Sequence, residues 1–149
     1  MKSNFPILLV DDDALLVDIL HRASRDHFPE ASFIQVFSNT EAIAYINALD
    51  GHGPKLVFLD IDLGSSVNGL DFLAFLQAHA QGRLLPVIML TASQLPSTIL
   101  TTYSTGAASF TVKPFSFDDW KMYFITLRQY WFDTVTIPPI RFYKRDYWT

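Results

Sequence analysis

The 149-residue chain contains no cysteine, so disulfides are excluded and a reducing compartment is the simplest reading. No apolar run approaches the roughly 20 residues that a membrane-spanning helix needs. The amino terminus has one early lysine and a short apolar stretch that runs straight into Asp11, Asp12 and Asp13, unlike a secretory signal. Basic residues are not in excess: 11 Lys and Arg against 15 Asp and Glu leave a net charge of −4, which argues against nucleic acid as the main partner. Internal repeats, low-complexity tracts and linkers are missing. The four histidines (His21, His27, His52 and His79) are scattered without the spacing of a transition-metal site. What is present is a chain 50% apolar and 17% charged, the balance of one globular domain long enough to bury a proper core. The composition reads as a soluble cytoplasmic protein.

Short apolar runs alternate with helical patterns. Strands are predicted near 6–11, 32–38, 55–60, 85–91 and 108–112, and helices near 13–27, 39–49, 69–81, 96–105 and 117–131. Ser38-Asn39-Thr40-Glu41 carries helix-capping chemistry. Five β–α alternations imply an α/β fold, a parallel sheet with helices on both faces. The fourth helical segment, 97–105, is mostly Ser, Thr and β-branched residues, all mediocre helix formers. It reads either as a short packed helix or as an element that shifts easily.

The fifth helix has two apolar stripes. Phe117, Trp120, Phe124, Leu127 and Trp131 follow the spacing of a buried face, while Tyr123 and Tyr130 lie on another. The second stripe serves a partner or is covered by the C-terminal tail. That tail is dense in rings: 12 of the 22 aromatic residues lie in the last 35 positions. So many large rings are not left bare on a soluble monomer.

Four strand ends deliver chemistry. Ile7-Leu8-Leu9-Val10 leads to Asp11-Asp12, Leu56-Val57-Phe58-Leu59 to Asp60, Val87-Ile88-Met89-Leu90 to Thr91, and Phe110-Thr111-Val112 to Lys113-Pro114. In a parallel sheet covered on both faces such ends meet at one edge, where ligands bind. Clustered carboxylates oppose one another's ionisation unless a cation sits among them. Mg²⁺ prefers this kind of hard oxygen set, completed by water and phosphate oxygens. Lys113 offers a point charge and Thr91 a hydroxyl to a phosphoryl group. Carboxylates can attack phosphorus to form aspartyl-phosphates, and Asp60, alone at its strand end, is the best candidate. Asp13 reads as a cap of the first helix.

These segments, together with Asn68-Gly69, Met89-Leu90-Thr91-Ala92, Gly106-Ala107 and Lys113-Pro114-Phe115, give the chain a close resemblance to the receiver domains of two-component response regulators over about residues 5–130. The resemblance implies a flavodoxin-like sheet of order 2-1-3-4-5. It implies that Asp60 accepts a phosphoryl group from a histidine kinase or a histidine phosphotransfer protein. Mg²⁺ would be held by Asp11, Asp12, Asp60 and the main-chain carbonyl of Asp62. Thr91 and Lys113 would bind phosphoryl oxygens, Phe110 would be the switch aromatic, and the Lys113–Pro114 peptide would be cis. It divides the chain into a receiver domain, 1–131, and a C-terminal aromatic extension, 132–149, with no separate domain.

Two departures stand out. Gly64 occupies a position where the family usually has proline, and the loop after Asp60 is one residue longer. Tyr130 to Pro139 resembles the end of small response regulators paired with bacterial phytochrome kinases, which are stand-alone dimers. The resulting reading is a single-domain response regulator that switches a protein-binding or dimerisation face. That face is built on the fourth helix, fifth strand and fifth helix, with or without the tail. A relay intermediate would have the same sequence. A haloacid dehalogenase-type phosphatase, with Asp60 as nucleophile and Asp62 as acid–base, is the enzymatic alternative, but that family carries its Asp-x-Asp on the first strand.

Overall fold

In a computed structural model, residues 4–61, 70–92 and 96–144 are described. The apolar runs form strands β1 (Phe5–Val10), β2 (Ala31–Val36), a two-residue β3 (Gly51–His52), β4 (Leu56–Asp60), β5 (Val87–Thr91), β6 (Ser109–Val112) and a two-residue β7 (Arg141–Phe142). Five of them make one sheet of order β2-β1-β4-β5-β6, with every neighbouring pair parallel. With the short β3 left out of the count, this is the 2-1-3-4-5 order expected. Helices α1 (Leu16–Ser24), α2 (Asn39–Ala48), α3 (Leu70–Ala78), α4 (Pro96–Thr105) and α5 (Phe117–Leu127) fall between the strands.

Side chains alternate between the faces of a strand, and the core divides accordingly. Leu8, Val10, Val57, Leu59 and Met89 pack with α2 and α3 residues such as Ile46, Phe72 and Leu76. Ile7, Leu9, Phe58, Ile88 and Leu90 pack with Leu16 and Leu20 of α1 and with Trp120 and Phe124 of α5. Both faces of β4 and β5 are buried along their whole length, which explains why they read as unbroken apolar runs. No helix among the described residues is long and apolar enough to cross a membrane.

Capping follows the sequence at α2. Ser38 Oγ accepts the Glu41 N–H at 3.1 Å, and Glu41 Oε2 accepts the Phe37 N–H at 2.7 Å, a near relative of the capping box. At α1 the expectation needs correcting. The Asp13 carboxylate accepts the Leu15 N–H at 3.0 Å, but the residue before the helix is Leu15, which makes no side-chain cap bond. Asp13 therefore closes a short Asx turn ahead of the helix, its side chain bonding two residues on.

The C-terminal region differs most from expectation. The fifth helix is α-helical only to Leu127 and then widens to a π-turn over Arg128–Phe132. Asp133 N–H reaches the Arg128 carbonyl and Val135 N–H the Tyr130 carbonyl, the five-residue spacing of a π-turn. Arg128 holds this turn in place. Its guanidinium grips both oxygens of Glu30 at 2.7 and 3.0 Å and reaches Asp133 at 2.9 Å. The chain then crosses the amino edge of the sheet and adds β7 antiparallel to β3. Phe142 is 1% exposed and joins the α2–α3 core, with its ring 6.2 Å from that of His79. Gly53 makes room for it, because a Cβ there would lie 2.7 Å from Phe142 Cε2. A cleft of about 700 Å³ runs between this tail, the start of β1 and the Pro54 loop.

The second stripe of the fifth helix divides. Tyr123 turns inward against Phe58 and Trp120 and shares a 3.0 Å hydrogen bond with the Thr111 hydroxyl. Burial pushes its phenol up to about 12, the Thr111 bond opposing this. Tyr130 stays exposed, as does Phe117 of the first stripe.

Candidate functional site

Parallel pairing sets the strand ends level. Val10 pairs with Leu59, Asp60 with Leu90 and Thr91 with Val112, so the residues that follow β1, close β4 and β5, and follow β6 meet at one edge. Asp11, Asp60 and Thr91 are buried there, while Asp12 is exposed. One carboxylate oxygen from each of Asp11, Asp12 and Asp60 lies within 4.8 Å of the others. Lys113 Nζ reaches in from β6, 2.7 Å from Asp11 Oδ2 and 3.5 Å from Asp60 Oδ2.

The charges explain the arrangement. Three carboxylates this close repel, and one ammonium offsets part of that repulsion. Burial by itself would lower the Lys113 pKa, but the hydrogen bond to Asp11 and the fields of Asp60 and Asp11 outweigh it and raise it overall. Asp11 is engaged at both oxygens, since Oδ1 accepts the Asp13 N–H at 2.9 Å while Oδ2 accepts from Lys113. The donor set is all hard oxygen, which suits a divalent cation of the magnesium class better than a thiophilic metal.

Sequence reasoning overlooked Gln35. Its amide nitrogen donates to the carbonyls of Asp11 at 2.9 Å and Asp13 at 2.8 Å, pinning the acidic loop to β2. Its signal was available: Gln35 is a lone amide in the apolar run Phe33-Ile34-Gln35-Val36-Phe37. Phe110 is half-buried against the α2–α3 core, and its N–H donates to the Tyr103 hydroxyl of α4 at 3.1 Å. No sequence pattern flagged Tyr103, because the pairing crosses from a helix to an edge strand. The Lys113–Pro114 peptide is trans rather than the cis form expected. An X–Pro bond favours trans by about 0.5–1 kcal/mol, and Lys113 reaches both carboxylates from that form. Asp62, Gly64, Asn68 and Gly69 lie outside the described residues.

Comparisons with known proteins agree with this geometry. The probable methanogenesis regulatory protein FilR2 of Methanothrix harundinacea is 28% identical over 87% of this chain and 85% of its own. The phosphorylated cyanobacterial phytochrome response regulator RcpA shares the fold with a TM-score of 0.80 at 21% identity, covering 91% of this chain and 99% of that one. The bacteriophytochrome response regulator RtBRR gives a TM-score of 0.66 at 29% identity, covering 92% and 86%. The profile of the response regulator receiver domain matches residues 7–123, a span that runs from the strand before the acidic pair to Tyr123 of α5. With the acidic triad, the strand order and this match in agreement, the chain belongs to the response regulator receiver domain family.

Proposed function

We propose that Asp60 is the phosphoacceptor of this receiver, that Asp11, Asp12, Asp60 and the Asp62 carbonyl hold Mg²⁺, and that Thr91 and Lys113 bind phosphoryl oxygens. The observation that carries the reading is the Lys113 ammonium lying between two buried carboxylates from different strands. Asp60 closes β4 with its Oδ2 3.5 Å from the Lys113 ammonium, which supports it as the attacking carboxylate. An Asp60 oxygen bonds to phosphorus as the phosphorus–nitrogen bond of a phosphohistidine breaks. The imidazole nitrogen leaves with the electron pair and takes up a proton. Lys113 faces the negative charge gathered on the transferring group. Magnesium, when bound, supplies further neutralisation of the phosphoryl oxygens.

The donor is a histidine kinase or a histidine phosphotransfer protein, and the phytochrome regulators RcpA and RtBRR among the neighbours favour a phytochrome-type kinase. Phe110 and Thr91 carry the change outward. Leu100, Val112 and Met122 leave an exposed apolar face on α4, β6 and α5, which we read as the homodimer surface. Phe142 packs into the α2–α3 core, which supports reading residues 132–149 as a C-terminal extension of the receiver with no separate domain. Labelled small-molecule phosphodonor with Mg²⁺ tests the assignment. Wild type takes up one acyl phosphate and Asp60→Asn none; full uptake by the variant sinks it. Label passing back to a phosphotransfer protein would make the chain a relay intermediate. Steady turnover of a simple phosphate ester would favour the phosphatase alternative.

A further inference from the structure

β6 is a four-residue edge strand that carries Phe110 and leads into Lys113. The Lys113 N–H donates to the Thr91 carbonyl at 2.8 Å, so it faces β5. The Ala108 N–H at the other end of the strand donates to the Val87 carbonyl at 2.9 Å, while the Phe110 N–H between them is engaged by a side chain of α4. Unpaired amides of an edge strand are ordinarily left to water or to a chance partner strand. Here the Tyr103 hydroxyl takes the Phe110 N–H, at 3.1 Å.

Tyr103 belongs to a helix with little else to hold it. No α4 side chain is a member of either core cluster, and Thr102 is the buried residue of the helix. The hydroxyls of Thr101, Thr102 and Thr105 turn back onto the carbonyls of Ser97, Ile99 and Thr101, a habit that slightly destabilises helices. The far end is fixed differently. Gly106 has φ +113°, and a Cβ there would lie 2.5 Å from Gln77 Cδ of α3. The helix is therefore seated at its carboxyl end, and Tyr103 ties its body to the sheet edge.

We propose that Tyr103 is a positioning residue whose hydroxyl bond to the Phe110 N–H holds α4 and β6 in the phosphoryl-free register and is released when the site fills. This rests on the reading of Asp60 as phosphoacceptor. The Thr91 carbonyl is bonded to the Lys113 N–H, so a shift of Thr91 toward a phosphoryl group displaces the end of β6. That displacement moves Phe110 away from a helix seated on α3. Coupling is reciprocal: removing the bond favours the filled state.

The test uses the full chain, beryllofluoride with Mg²⁺ as the phosphoryl mimic, and hydrogen exchange read at the Phe110 amide. In wild type that amide should be protected when free and lose protection when beryllofluoride binds. Tyr103→Phe keeps the ring and should expose the amide from the start. It should also tighten beryllofluoride binding about fivefold, the factor for one net hydrogen bond of about 1 kcal/mol. Ser104→Ala, an exposed change on the same helix, should leave the affinity unchanged. If wild type fails to bind beryllofluoride, the Asp60 reading falls and this inference with it. If it binds while Phe110 protection stays constant, or Tyr103→Phe shifts affinity by less than about twofold, the role of Tyr103 alone is overturned.

Discussion

At the carboxyl edge of the sheet, three carboxylates and an ammonium are gathered into partly buried space. At the amino edge the same sheet is closed by rings. Phe5 packs on Phe28 and Phe132 at centroid distances of 5.2 and 6.1 Å, Arg128 lies 4.9 Å over Phe132, and Phe142 is inserted beside His79. The two ends divide the work between them. Apolar burial stabilises without regard to ligand. Like charges held together cost stability until a cation sits among them. A receiver needs one edge free to change state, and the opposite edge supplies the rigidity that allows it.

The sharpest way to break this comparison is at Phe142. Phe142→Ala should cost about 3–5 kcal/mol, the usual range for a buried ring, read as a lower urea midpoint. Phosphoryl uptake by the folded fraction should survive, since the residue lies at the opposite edge from Asp60. Loss of uptake at full foldedness would show that the two edges are not separable.

Tyr123 sharpens the question of whether place or polarity decides. Its folded pKa of about 12 stands above the usual 10, so the unfolded chain ionises first. Its contribution is fully present below pH 10 and is lost as pH rises toward 12, about 2–3 kcal/mol in all. Tyr123→Phe should flatten that loss, as measured by denaturation at a series of alkaline pH values. An unchanged slope would mean that the phenol is not buried in solution.

The smallest effect is opposite in sign. Asp60→Asn removes one of the repelling carboxylates and should raise stability by about 0–1 kcal/mol in metal-free buffer. The variant should also lose most of the melting-temperature gain that Mg²⁺ gives wild type. A destabilised Asp60→Asn would mean that the Lys113 contacts outweigh the repulsion.

Much of this was legible in the chain. Unbroken apolar runs marked β1, β4 and β5 because both of their faces are covered, and the residues ending them marked the site. Ser38 and Glu41 announced α2 because capping is local. What stayed hidden is non-local. The pairing of β3 with β7 joins residues some 90 positions apart through two residues each, too short a run to leave a periodic signature. The π-turn after Leu127 depends on Glu30, nearly 100 positions earlier. The trans Lys113–Pro114 peptide is a choice between two forms separated by little energy.

The sequence by itself determined the alternation of strands and helices, the carboxylates, hydroxyl and ammonium at four strand ends, and the aromatic weight of the C-terminus, since all three follow from local pattern and composition. Only the tertiary structure decided where the aromatic tail goes and how α4 is held to β6. Both are settled by single contacts, Phe142 in its Gly53-shaped space and the Tyr103 hydroxyl on an edge amide, whose partners come together only after the sheet has formed.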